Sequence, residues 1–199
     1  VYAVTAVSKH NIFGTGYETA LGCELAGGNS TGISGEDNAV QRYVQCVDNI
    51  DMSETLAVVI LNSPAYAGTT YFGYTNQTKV VEFAIAYCPV IYDLQSESFR
   101  QVLVHEAVGH GFAKLEDEYA YQENGTISSK EIKNVQYLQT LGWAQNVDFT
   151  SDPSQVLWSA FLNDNRYVSE KLGVFEGACT YIKGAYRPSE ESMMNSNTE

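Results

Sequence analysis

"LVHEAVGHGFAKLEDEY", residues 103–119, sets two histidines five positions apart in an apolar stretch, with a glutamate directly after the first. In the H-E-x-x-H arrangement the histidines are four apart and share one helix face. Residues four apart in a regular α-helix differ by roughly 40° around the axis and ~6 Å along it, so both imidazoles can reach one ion. Five apart, they diverge by roughly 140° and ~7.5 Å. Zinc–nitrogen bonds of about 2.0–2.1 Å leave no slack for that divergence. One π-type turn between His105 and His110 restores the register, and such turns are rare and collect at functional sites. Gly109, beside His110, has no Cβ and tolerates the distortion. The stretch therefore predicts a helix over residues 97–114 with one i→i+5 turn.

A buried helix that happens to hold two histidines is the bland alternative. Two of the three histidines in the chain flank the same glutamate, which favours the metal reading. Glu106 also stands among Val102, Leu103, Val104, Ala107 and Val108, where an ionised carboxylate is costly unless paired or metal-linked. A zinc site of this type needs a third protein ligand and an open fourth position. Glu116, Asp117 and Glu118 supply three consecutive carboxylates just beyond the helix. Elsewhere such a run is a solvated turn; here it is a supply of ligands. Near the end, "SMMN" (residues 192–195) offers a methionine to sit beneath a metal, although methionine is more often core.

Around this helix the pattern reads strand, helix, strand, strand, helix. Residues 1–7 alternate weakly as a strand, and the Gly/Ser/Thr/Asn-rich run to Gly35 reads as loop. Residues 37–50 carry Val40, Tyr43, Val44 and Val47 at helical spacing. Residues 55–61 form a buried-strand run, residues 63–74 a turn with a short Thr/Tyr/Phe strand, and residues 80–87 another apolar strand. A further helix is expected over residues 129–141, followed by an irregular Gly/Tyr-rich tail. The order predicts an α/β fold of the α+β type, a mixed twisted sheet with helices packed on it. No repeat or linker divides the 199 residues, so one domain is expected.

A formal net charge of −13 argues against nucleic acid or anionic membrane as partner, since both select basic surfaces. No apolar run reaches the ~20 residues of a membrane-spanning segment. "VYAVTAV" lacks the basic start of a signal peptide, and the expectation is a mature or excised form. Cys23, Cys46, Cys88 and Cys179 form no C-x-x-C and fit two disulfides or four buried thiols equally well. Asn29, Asn76 and Asn124 head N-x-S/T sequons, which matter only in a eukaryotic secretory pathway.

The hexapeptide H-E-A-V-G-H resembles the H-E-x-x-G-H motif of dipeptidyl peptidase III, a zinc peptidase with the same insertion. The histidine–glutamate segment, "GFAKLEDEY", "VVILNSPAYAGTTYF" (residues 58–72) and "FEGACTYIKGAYRPSEESMM" together resemble the immunoglobulin A metallopeptidase family. These are bacterial zinc endopeptidases of the metzincin-like clan, and the likeness spans roughly residues 55–195. The chain departs from the family's shorter H-E-x-x-H, and it stops soon after the methionine segment, where the family's catalytic domain continues. An excised or C-terminally incomplete part of a longer protein is the matching expectation.

The resemblance implies a zincin-like catalytic domain with an active-site helix and a Met-turn at Met194. It implies Zn2+ held by His105, His110 and Asp117, with Glu106 as general base. Of the remaining carboxylates, Glu118 would then hydrogen-bond a ligand histidine. Tyr186 or Tyr181 is the candidate oxyanion donor, and Tyr119 packs or orients the ligand loop. The strand around "AGTTYF" could bind extended peptide at its edge, or be an ordinary edge strand. The implied activity is endopeptidase cleavage of secreted host proteins, immunoglobulin A among them, by a secreted or cell-surface bacterial enzyme. Two rivals stand beside it: a non-catalytic surface-binding module on the same scaffold, and a zinc hydrolase of non-peptide amides. The intact Glu106 argues against the first, because a lapsed site has no use for a base.

Overall fold

Six consecutive buried residues, Ala84–Pro89, form the central strand of the first half of the chain. A strand buried along its whole length must be covered on both faces. In the computed structural model, which describes residues 1–10, 18–25, 32–63, 68–72, 75–76, 79–80 and 83–196, both covers are present. The elements in chain order are β1 (Glu24–Leu25), β2 (Ile33–Ser34), α1 (Asp37–Val44), β3 (Leu56–Leu61), β4 (Thr69–Phe72), β5 (Thr75–Asn76), β6 (Lys79–Val80) and β7 (Ala84–Pro89). Next come α2 (Glu97–Leu103), a π-helix (Val104–Phe112), α3 (Ser129–Thr140), α4 (Ser159–Leu162), β8 (Phe175–Ala178), β9 (Tyr181–Arg187) and α5 (Met193–Ser196). The chain falls into two compact units, Val1–Phe112 and Ala113–Glu199.

In the first unit β7 pairs with β3 in parallel and with β4 antiparallel, giving the mixed sheet order β3-β7-β4. Alternation along β7 divides its side chains. Ile85 and Tyr87 join Ala57, Val59, Val40 and Ile33 on one face. Ala86 and Cys88 meet Phe99 and Ala107 of the helical segment on the other. Helices thus lie on both faces, α1 on the first and α2 with the π-helix on the second. Ser96 starts α2 by accepting a hydrogen bond from the Phe99 amide, an N-cap that satisfies one of the orphan donors of the first turn.

The second unit has its own core, in which Ile127, Val135, Val147, Ala178, Cys179 and Ala185 are buried together. Ser128 caps α3 through the Glu131 amide, the S-x-x-E signature at its start. β8 and β9 form an antiparallel hairpin whose two turn residues, Cys179 and Thr180, have φ of 54° and 67°. Positive φ at both positions is the hairpin geometry that matches strand twist, and it usually selects Gly or Asn. This hairpin replaces the irregular tail expected from the sequence. Gly177 (φ 107°) sits at a bulge in β8 and Gly184 (φ 84°) interrupts β9, so neither strand shows a clean period of two.

Other expectations shift. Residues 1–7 form no strand, and Val1, Tyr2, Val4 and Val7 are exposed, so the weak alternation had no partner to bury it. α1 ends at Val44 rather than continuing to residue 50, and Asn49 has φ 59°. The strand expected over residues 80–87 begins at Ala84, while Val80 belongs to a short pair with Thr75. All four cysteines are free thiols. The Asn29 sequon lies outside the described residues; at Asn124 the exposed side-chain amide donates to the Thr180 carbonyl and hydroxyl. Among the described residues no helix is long and apolar enough to cross a membrane.

Candidate metal centre

The helix that begins as α2 changes its winding at Val104 and runs as a π-helix for nine residues to Phe112. The sequence predicts one i→i+5 turn; the structure extends the wider winding over the whole motif. With i→i+5 bonding, a residue five positions on returns to nearly the same face. The Nε2 atoms of His105 and His110 accordingly stand 3.1 Å apart, with their rings nearly perpendicular at 78°. Two donors at about 2.0–2.1 Å from one ion, spread at a tetrahedral angle, are roughly 3.3 Å apart. The histidine pair meets that spacing.

Two glycines shape the segment. Gly111 has no Cβ where one would lie 2.6 Å from Leu56 Cδ1, so the helix can settle onto β3. Gly109 is buried within the winding and keeps a helical backbone. Val108 and Phe112 point to the exposed side.

Glu106 is 7% exposed and rests against β4. The Thr70 hydroxyl lies 2.7 Å from Glu106 Oε2 and 2.9 Å from its backbone carbonyl, donating to this pair of acceptors. A Cβ at Gly68 would fall 2.5 Å from Glu106 Oε1, so only glycine lets the strand pass this close. The buried carboxylate thereby receives the polar partner that its apolar surroundings demand. Residues 68–72 therefore carry a role that the sequence reading missed: they cradle Glu106. Thr69 fixes the same strand, since its hydroxyl accepts from the Ile33 amide and donates to the Gly68 carbonyl.

The carboxylate segment after the helix has no regular structure, yet its peptide groups are tied down one by one. Asn146 accepts from the Glu116 amide and donates to the Glu116 carbonyl. The Asp117 carbonyl accepts from the Cys179 amide, the Glu118 amide donates to the Met194 carbonyl, and the Tyr119 carbonyl accepts from the Thr180 amide. The left-handed turn of the hairpin thus aims two amides at this segment. Tyr119 hydrogen-bonds Tyr121 and Asp117, and burial beside Asp117 pushes its phenol well above the usual range.

Glu118 is 3% exposed, and its partners differ from the expectation that it orients a histidine. Asn146 Nδ2 donates to one carboxylate oxygen at 2.8 Å and the Ser192 hydroxyl to the other at 2.6 Å. Burial pushes its carboxyl up, and these two bonds draw it partly back. Its position, buried beneath the segment, leaves it as an anchor between residues 116–118 and the methionine segment. Met194, 2% exposed, shares that anchor through its carbonyl. Asn146 and Ser192 were missed as contributors because they lie 28 and 74 residues from Glu118, beyond any local spacing rule.

His105 and His110 bring their ring nitrogens together within the first unit, and Asp117 stands on the tied-down segment of the second. Two imidazoles joined by a carboxylate are the kind of donor set that a catalytic divalent metal takes. Tyr181 packs against the core of the second unit. Tyr186, half-buried on β9, pairs its backbone with Asp148. Compared with curated proteins, the chain has no significant match. Against models of protein families, residues 12–169 match the one described as IgA peptidase M64. With that match covering well over half of its 199 residues, the chain belongs to the IgA peptidase family, whose members are metal-dependent peptidases.

Proposed function

We propose that this protein is a zinc endopeptidase acting on secreted proteins, with His105, His110 and Asp117 as metal ligands and Glu106 as general base. The observation that carries the reading is the 3.1 Å approach of the two Nε2 atoms on a π-wound helix. Family membership supports the reaction class. The family match also runs across both compact units, which supports one zincin-like catalytic domain; the Met-turn proposed at Met194 rests on the sequence resemblance, beyond the matched residues.

When bound, a zinc ion supplies the Lewis acid that makes water a nucleophile near neutral pH. Glu106 takes a proton from the attacking water as oxygen adds to the scissile carbonyl carbon. It then delivers that proton to the amide nitrogen as the carbon–nitrogen bond breaks, so atoms and charge balance. Thr70 holds Oε2 throughout, and the missing Cβ at Gly68 keeps space beside Oε1. Tyr186 is the proposed donor to the developing oxyanion. The edge strand β4 offers main-chain bonding to an extended peptide.

Immunoglobulin A, which the family description names, is the first substrate to test, in the setting of a secreted or surface-attached bacterial enzyme. Purified protein should carry one zinc per chain and cut immunoglobulin A or another secreted glycoprotein at defined bonds read by mass spectrometry. Glu106→Gln should keep the zinc and lose nearly all cleavage. Turnover by that variant at the native rate would remove Glu106 from the reaction. Protein without stoichiometric metal or any cleavage would favour a binding module.

A further inference from the structure

Asp117 stands in an irregular segment, yet a ligand must hold its oxygen to within tenths of an ångström of one place. A helix provides such control by its repeat, and a loop has none. Along residues 116–118 the control comes from one side chain above all. The carboxamide of Asn146 accepts from the Glu116 amide at 2.9 Å, donates to the Glu116 carbonyl at 2.8 Å and donates to Glu118 Oε1 at 2.8 Å. It therefore grips the residue before Asp117 through the main chain and the residue after it through the side chain.

Asn146 is itself fixed. Its neighbours Val147 and Ala144 are fully buried in the second core. Gln139, on the last turn of α3, donates from its side chain to the carbonyls of both Ala144 and Val147. Ala144, at φ 49°, donates its amide to the Lys114 carbonyl at 2.8 Å, so the same turn holds the chain two residues upstream of Glu116. The grip on 114, 116 and 118 comes from one rigid corner after α3.

We propose that Asn146 is the positioning residue of the third metal ligand. By bracketing Asp117 it sets where that carboxylate points, without touching the metal. The inference rests on Asp117 being a ligand, as proposed above. Both donors and the acceptor of the amide are needed. Aspartate at this position keeps the acceptor, loses both donors and sets a like charge against buried Glu118.

The test uses the full chain and zinc alone as the probe. Zinc dissociation constants are measured by competition with a chelator for the native protein, Asn146→Ala, Asn146→Asp, Asp117→Ala and the neighbouring control Gln145→Ala. The thermal midpoints of the metal-free proteins and the visible spectra of their cobalt(II) forms are recorded alongside. Partners that orient a metal ligand typically contribute about 10–100-fold to affinity. The expected result is a weakening of that size in Asn146→Ala and Asn146→Asp and an altered cobalt spectrum. Metal-free midpoints should fall by less than the loss of zinc affinity, with Asn146→Asp below Asn146→Ala because of the like charge beside Glu118. If Asp117→Ala releases zinc while both Asn146 variants hold it at native affinity with a native spectrum, Asn146 does not position the ligand. A loss of affinity matched by an equal loss of metal-free stability would make its role merely structural and also overturns the proposal. If Asp117→Ala keeps native affinity, the ligand assignment fails first and this inference with it.

Discussion

The two histidines and the aspartate are held by opposite means. His105 and His110 lie within six residues of one helix, and a change of winding alone turns them toward each other. Asp117 lies in a segment without a repeat, fixed by Asn146, Cys179, Met194, Ser192 and Thr180 acting on it and its neighbours. One half of the proposed ligand set is placed by local geometry, and the other by partners drawn from residues 146 to 194. The difference teaches where a site is robust: the helical pair tolerates change at a distance, while the aspartate depends on a remote shell.

The largest expected effect tests the aspartate. Replacing Asp117 by alanine should weaken zinc binding by more than ~100-fold, since even outer partners of a ligand contribute about 10–100-fold. An isothermal titration giving native affinity would leave the histidine pair as the whole metal site. Next comes the helix. A methyl at Gly111 would meet Leu56 Cδ1 at 2.6 Å, and overpacking of this kind costs about 1–3 kcal/mol. Gly111→Ala should lower denaturant stability by that amount, and an unchanged midpoint would mean that the helix can lift from β3 without loss.

Alkaline pH separates the two halves more gently. Burial raises Cys23 to about 11, and Tyr87 and Cys88 of the same unit are raised in the same sense, as is Cys179 in the second unit. The unfolded chain ionises its thiols near 9 while the folded chain retains the protons, so stability is full below that pH and is lost as pH rises through 11. Of the raised thiols two lie in the first unit and one in the second, the raised phenols Tyr87 and Tyr119 lie one in each, and both tryptophans, Trp143 and Trp158, lie in the second. Heated at pH 10, the protein should lose circular dichroism before its tryptophan fluorescence shifts. Coincident transitions would show that the halves melt as one. The smallest effect is expected for Glu116→Ala, because Asn146 reads the backbone of Glu116, whatever its side chain, and the 3.4 Å contact of its carboxylate with the Asp117 amide is long. Zinc affinity within about threefold of native, against the 10–100-fold of an orienting partner, is the outcome to look for.

The same contrast explains what the sequence disclosed. The mixed sheet was legible because β3, β4 and β7 are short apolar runs bounded by turn residues. The π winding was legible because a five-residue histidine spacing has few other solutions. The hairpin of β8 and β9 was hidden by Gly177 and Gly184, which break its alternation, and by a two-residue turn lacking the Gly or Asn that usually announces one. Thr70, Asn146 and Ser192 carry no motif; each is an ordinary polar residue that matters through what folding brings beside it. Glu118 was misread for the same reason, since nothing in "LEDEY" says that Asn146 and Ser192 will claim both of its oxygens.

The π-wound motif also separates distance in a string from distance in space. Removing one residue between His105 and His110 would restore the familiar four-residue interval, while the existing interval already sets Nε2 atoms 3.1 Å apart. No single substitution converts one spelling into the other; an insertion or deletion does it in one step. A text search for the four-residue interval passes over this chain, although a search for two imidazole nitrogens facing one point retrieves it. Proteins spelled either way can thus share one chemistry while looking unrelated to any rule that counts letters.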